Sequence, residues 1–165
     1  TGSMSPRGRI YALRSAAGSA NPRLDAFAIA LKRFLVPLPR KVLAAGASWA
    51  DTVVEHPKVN TIDITSSSVT TYKVAGDTTV NGQHAWRIDR FTTIAQLGKG
   101  TEAGQPLEIS GSGTITGMHF FTASGVFLGS QSTQRTDLME KMNESEGAPI
   151  QQTLKSTVEL IPSGI

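Results

Sequence analysis

The chain contains no cysteine, which removes thiol nucleophiles, disulfides, iron–sulfur clusters and cysteine zinc sites from consideration. Aromatic residues are 6% and charged residues 18% of its 165 positions, while 39% are hydrophobic, a balance that fits one ordinary soluble domain. No apolar run approaches the ~18 residues of a membrane-spanning helix, and the opening residues lack the apolar core of a signal peptide. A chain of this length buries roughly two thirds of its unfolded surface and needs no disulfide or metal staple to fold. Opposite charges are also scarce where the bases are densest. The first 41 residues carry eight Lys and Arg against Asp25 alone, a net +7, and the remaining 124 carry −4. Such a split suits either docking of the basic segment on the acidic body or an anionic partner; the bases that would face a membrane surface are Arg7, Arg9, Arg14, Arg40 and Lys41.

Thr1-Gly2-Ser3-Met4 reads as an expression scar, and Ala16-Ala17-Gly18-Ser19-Ala20 as a small-residue linker, so residues 1–21 are set apart from a single domain over 22–165. A helix is predicted at once. Asn21 suits the N-cap and Pro22 the first turn; Leu24, Phe27, Ala28, Leu31, Phe34 and Leu35 then follow at helical spacing, and Pro37 and Pro39 end the segment. From Gly46 onward the period changes to two and turn residues recur, as in an antiparallel meander. Trp49 and Val53 share a face of a first strand that ends near His56-Pro57. Val59 to Val74 reads as one long strand, with a bend or bulge at Ser66-Ser67-Ser68, where both faces are polar. Asn81-Gly82 is the strongest turn signal, since both residues tolerate the positive φ of a type I′ hairpin. Leu97 to Gly104 reads as a glycine-bearing loop, Ser124-Gly125 and Asn143 to Gly147 as turns, and Leu154, Val158 and Leu160 as one side of a closing strand. The expected fold class is α+β and strand-rich: a strongly bent antiparallel meander of six to seven strands with one amphipathic N-terminal helix packed on one face.

Residues that carry chemistry are present without the spacing that chemistry needs. His56, His84 and His119 are far apart and match no metal motif, so they read as surface or edge histidines, and no metal or cofactor is expected. Asp63, Asp89 and Glu108 lie within strands among polar neighbours, as a solvated face would have them, rather than as a catalytic carboxylate pair. Gly111-Ser-Gly113-Thr-Ile-Thr-Gly117 does not lead into a helix, so it is no phosphate cradle. Its glycines share the parity of Leu107, Ile109 and Ile115. They either let the sheet coil or leave a trough for Trp49, Trp86 or an apolar ligand.

Leu38-Pro39 and Lys41 ahead of Gly46-x-Ser48-Trp49, then Tyr72-x-Val74-x-Gly76, Val80-Asn81-Gly82 with Ile88, and Gly111-x-Gly113 leading to Phe121-x-x-x-Gly125 and Ser130, together resemble a bacterial cell-envelope lipoprotein domain of unknown function. That family is similar in layout to the lipoprotein-carrier proteins, in which a curved antiparallel sheet wraps a helix and shields an apolar cavity. The resemblance implies a non-enzymatic envelope protein on the periplasmic or extracellular side, its signal and anchor lying upstream of this sequence. The expected function is therefore binding or assembly, with an envelope protein or an apolar small molecule as partner. The expected ligand residues are Phe27, Leu31, Phe34, Trp49, Trp86, Gly111 and Gly113. A small hydrolase or isomerase built between helix and sheet is the first alternative. Nucleic-acid binding through the basic segment is the second, and the acidic body and the lack of an aromatic–basic strand argue against it.

Overall fold

The computed structural model describes residues 2–4, 10–13, 36–39, 43–142 and 147–159, and the chain divides into two compact units, Thr1–Leu43 and Ala44–Ile165. In the first unit, β1 (Gly2–Met4) pairs antiparallel with β2 (Ile10–Leu13). Three of the residues read as a scar thus form β1.

The second unit is one antiparallel sheet of seven strands: β3 (Ser48–Glu55), β4 (Lys58–Val59), β5 (Ile62–Val80), β6 (Gln83–Glu102), β7 (Gln105–Phe121), β8 (Phe127–Met142) and β9 (Ala148–Glu159). Their order is β3-β5-β6-β7-β8-β9, with β4 folded back on the start of β5. The described residues hold strands and turns and no helix, so the α+β expectation, with a helix packed on the sheet, is corrected to an all-strand architecture. One short 3.6-period stretch had suggested the helix, and its residues, 22–35, lie outside the described ones. The alternating pattern, by contrast, runs through the whole second unit.

Turn chemistry joins the long strands tightly. Asn81 and Gly82 have φ of 49° and 77° and close the β5–β6 hairpin as expected. The same geometry recurs at Ala103 and Gly104, with φ of 49° and 79°, so β6 continues to Glu102 through the segment read as a loop. Asn60, φ 54°, turns β4 into β5 and interrupts the single strand expected from Val59. The bulge is displaced as well. Pairing of β5 with β6 is regular through Ser66–Ser68 and shifts only between Val74 and Gly76.

Register puts one parity of every strand on a common face. Tyr72, Val74, Ile88, Ile94, Leu107 and Ile115 are buried there, and so are Ser66, Thr70, Thr92, His119, Ser130 and Thr136. Six of the side chains buried on this face are polar, and each must find a partner or carry the cost of desolvation.

Candidate functional site

Five strands meet in one row of this face. Val74 of β5 lies opposite Ile88 of β6, Ile88 opposite His119 of β7, His119 opposite Ser130 of β8, and Ser130 opposite Val158 of β9. Val74 and Ile88 are wholly buried, and His119 and Ser130 keep 1% and 2% of their surface. Phe121 and Leu128, one step along β7 and β8, are buried too.

Polar groups in the neighbouring rows are paired. In the next row Arg90 lies between Tyr72 and Gly117, and its Nε donates to Thr92 Oγ1 at 3.0 Å. Thr92 and Thr70 share a buried hydroxyl hydrogen bond of 2.9 Å, and Ser132 and Ser156 share a half-buried one of 2.8 Å. Trp49 stacks on Tyr72 with ring centroids 5.3 Å apart and planes 19° apart. His119 Nδ1 and Nε2 and Ser130 Oγ, however, have no hydrogen-bond partner among the described residues. Burial pushes the His119 imidazole down to a pKa of about 4, and the charge of Arg90 adds to the effect. At neutral pH the ring is therefore uncharged, with one nitrogen a donor and the other an acceptor. It sits beside a hydroxyl that can play either part.

This corrects the reading of His119 as a surface or edge residue. Its parity, shared with the buried Ile115 and Phe121, carries the signal for burial, which the residue type alone does not. His56 and His84 are exposed; His56 contacts Thr65 Oγ1 at 3.2 Å and His84 lies 3.5 Å from Asp77. The strand carboxylates form ion pairs on the opposite face. Asp63 meets Lys58 at 3.2 Å, Asp89 meets Arg87 at 2.8 Å and Glu108 meets Lys99 at 2.9 Å. Lys58, Asp63, Lys99, Glu108 and Lys141 fall in one cross-strand row of alternating sign. Lys99 holds the Glu108 carboxyl below its ordinary pKa through a hydrogen bond and its charge. These acids are components of a charge ladder.

The expected ligand residues do not form one cluster. Phe27, Leu31 and Phe34 lie outside the described residues, as do Arg7, Arg9, Arg14, Arg40 and Lys41. Trp86 pairs with Phe121, whereas Gly113 and Gly111 pair with Ile94 and Gln96, eight and ten positions along the same strand pair, or roughly 26 and 33 Å. Trp49 belongs to the row of Tyr72, Arg90 and Gly117. Nor is the space above the glycines open. A Cβ on Gly113 would lie 2.7 Å from the Arg135 carbonyl oxygen, and one on Gly111 would lie 2.7 Å from that of Asp137. The opposite face carries a shallow depression of about 480 Å³ lined by Arg87, Asp89, Met118, Gln131, Thr133 and Lys155, among others.

Among the described residues no group of three or more His, Asp or Glu could hold a metal ion. Nucleophilic catalysis by Ser130 would need His119 as a base, oriented in turn by a third group. With both ring nitrogens unpartnered, nothing orients it, and a pKa near 4 makes it a weak base at neutral pH. Comparison with protein-family models, curated proteins and solved structures finds no match for this chain.

Proposed function

We propose that this chain is a non-enzymatic binding domain of the bacterial cell envelope, and that the buried face of its sheet takes an amphiphilic small molecule. The apolar part of the ligand lies along Val74, Ile88, Phe121 and Leu128, and its polar group meets His119 and Ser130. The observation that carries this reading is the adjacency of two buried, unpartnered polar side chains in an otherwise apolar row. Leaving a buried polar group unsatisfied costs about 1–3 kcal/mol, and a ligand that supplies the missing bonds recovers that cost. Most binding sites have this composition, an apolar surface with a few convergent polar groups. Entry to so closed a face requires local opening, so equilibration is slow. The envelope setting rests on the resemblance described above.

The test is titration of the whole chain with a medium-chain fatty acid and with the matching alkane. Tryptophan emission is followed in a Trp86→Phe background, so that Trp49, stacked beside the row, is the reporter. The acid is expected to bind and the alkane to bind more weakly, with Ser130→Ala and His119→Leu each weakening the acid by about tenfold, the equivalent of one lost hydrogen bond. Absence of binding by either probe, or equal binding by wild type and both variants, would overturn the proposal.

A further inference from the structure

We infer that β9 is a dimerisation edge, which pairs antiparallel with β9 of a second copy of this chain about a two-fold axis at Leu154. β9 stands last in the strand order, and among the described residues it pairs with β8 alone. It is twelve residues long, its pairing with β8 has no bulge, and eleven of the twelve residues are exposed. Natural edge strands are blunted by brevity, bulges or mid-strand charge. β9 has little of this: Pro149 stands near one end, Glu159 at the other, and Lys155 is the sole charge between. The edge is on the order of 40 Å long and offers about ten main-chain hydrogen bonds.

The side chains favour a second copy over another partner strand. Ile150, Leu154 and Val158 lie on one face, 40%, 56% and 36% exposed, and are spaced four residues apart on either side of Leu154. An antiparallel copy centred on Leu154 sets Leu154 against itself and Ile150 against Val158 twice, which is the self-complementarity a two-fold interface requires. Lys155 then faces Thr153. Centring the axis on Lys155 instead would oppose two like charges, and a one-residue slip would put each apolar side chain on the wrong face.

Because the chain lacks cysteine, single thiols can read the register directly. Sedimentation of the full chain is expected to give a dimer, and Leu154→Lys a monomer with unchanged circular dichroism. Under oxidation Leu154→Cys should form a disulfide-linked dimer, since opposed Cα atoms in an antiparallel pair lie within disulfide reach. Val158→Cys alone should not, because its own copy lies roughly 27 Å away, whereas a mixture of Ile150→Cys and Val158→Cys chains should cross-link to each other. A monomeric wild type, a Leu154→Lys variant that remains dimeric, or equal cross-linking by Val158→Cys and Leu154→Cys would each overturn the assignment.

Discussion

Replacing Gly113 by alanine tests how β7 and β8 approach each other. Gly113 lies opposite Ile94 on one side and Thr136 on the other. An added Cβ would stand 2.7 Å from the Arg135 carbonyl oxygen and 3.3 Å from Thr136 Oγ1. The oxygen belongs to the main chain of a sheet ladder and cannot swing aside as a flexible side chain would, so β8 must move by several tenths of an ångström. Overpacking of this kind costs about 1–3 kcal/mol. Alanine also restricts the unfolded chain, which returns about 0.4–1 kcal/mol, and the net destabilisation is about 1–2 kcal/mol. Gly98 is the internal control. Its added Cβ would meet Ile109 Cβ, Ile62 Cγ2 and Ile64 Cγ1, each at 3.4 Å, an ordinary apolar contact, so Gly98→Ala should fall between neutral and about 1 kcal/mol more stable. Urea unfolding decides, since at a slope of about 2 kcal/mol per molar the loss at Gly113 lowers the midpoint by about 0.5–1 M. A Gly113→Ala midpoint equal to wild type, or above that of Gly98→Ala, would refute the close approach and restore an open trough above this strand.

Two further outcomes follow from the buried polar groups. His119 is held neutral in the fold with a pKa of about 4, while in the unfolded chain it titrates near 6.5, so between these values the unfolded state binds more protons. Stability should therefore be flat above pH 7 and fall as pH drops from 6.5 to 4, by on the order of 3 kcal/mol; unfolding midpoints against pH should show the slope in wild type and lose it in His119→Gln. Thr92→Val strands the Thr70 hydroxyl and removes one acceptor of Arg90, and should cost about 1–3 kcal/mol, whereas adding Thr70→Val should recover part of that loss, a coupling that calorimetric melting of the double-mutant cycle measures.

Local signals made much of the sheet legible. Asn81-Gly82 announced its hairpin because positive φ belongs to those two residue types. The parity of Ile62, Ile64, Tyr72 and Val74 announced the buried side of β5. What escaped was decided by neighbouring strands. Ser66-Ser67-Ser68 is polar on both faces and so resembled a bulge, yet Gln96 of β6 donates to Ser66 Oγ at 3.4 Å and Ser68 donates to the Val53 carbonyl at 3.5 Å, so regular pairing holds there. Gly98 and Gly100 suggested a loop, but they keep the strand because the main chain at Thr61 and Ile62 comes too close to Gly100 for any side chain. No residue near Gly98 in sequence carries that information. The described members of the expected ligand set lie apart for a related reason: a shared parity fixes a face and says nothing of distance along it, and the rows of Trp86 and Gly111 are ten residues apart.

The distribution of partners over the two faces bears on which groups are free to act. On the exposed face Asp63, Asp89 and Glu108 are each engaged by a base, and the row from Lys58 to Lys141 alternates in sign across five strands. For Glu108 the hydrogen bond and charge of Lys99 favour the ionised carboxylate. On the buried face Thr70, Thr92, Ser132 and Ser156 satisfy one another, and these pairs hold neighbouring strands in register. His119 and Ser130 stand apart from both patterns, directly opposed and without partners among the described residues. Exchanging them for apolar residues would remove the desolvation cost of both groups, so in a purely structural role their retention is a net loss of stability. A bound hydroxyl or carboxylic acid supplies one acceptor and one donor, the complement that a neutral imidazole and a hydroxyl require. The chemistry of the pair thus selects a polar, hydrogen-bonding head group on an otherwise apolar molecule, and a hydrocarbon without one leaves the same groups unsatisfied.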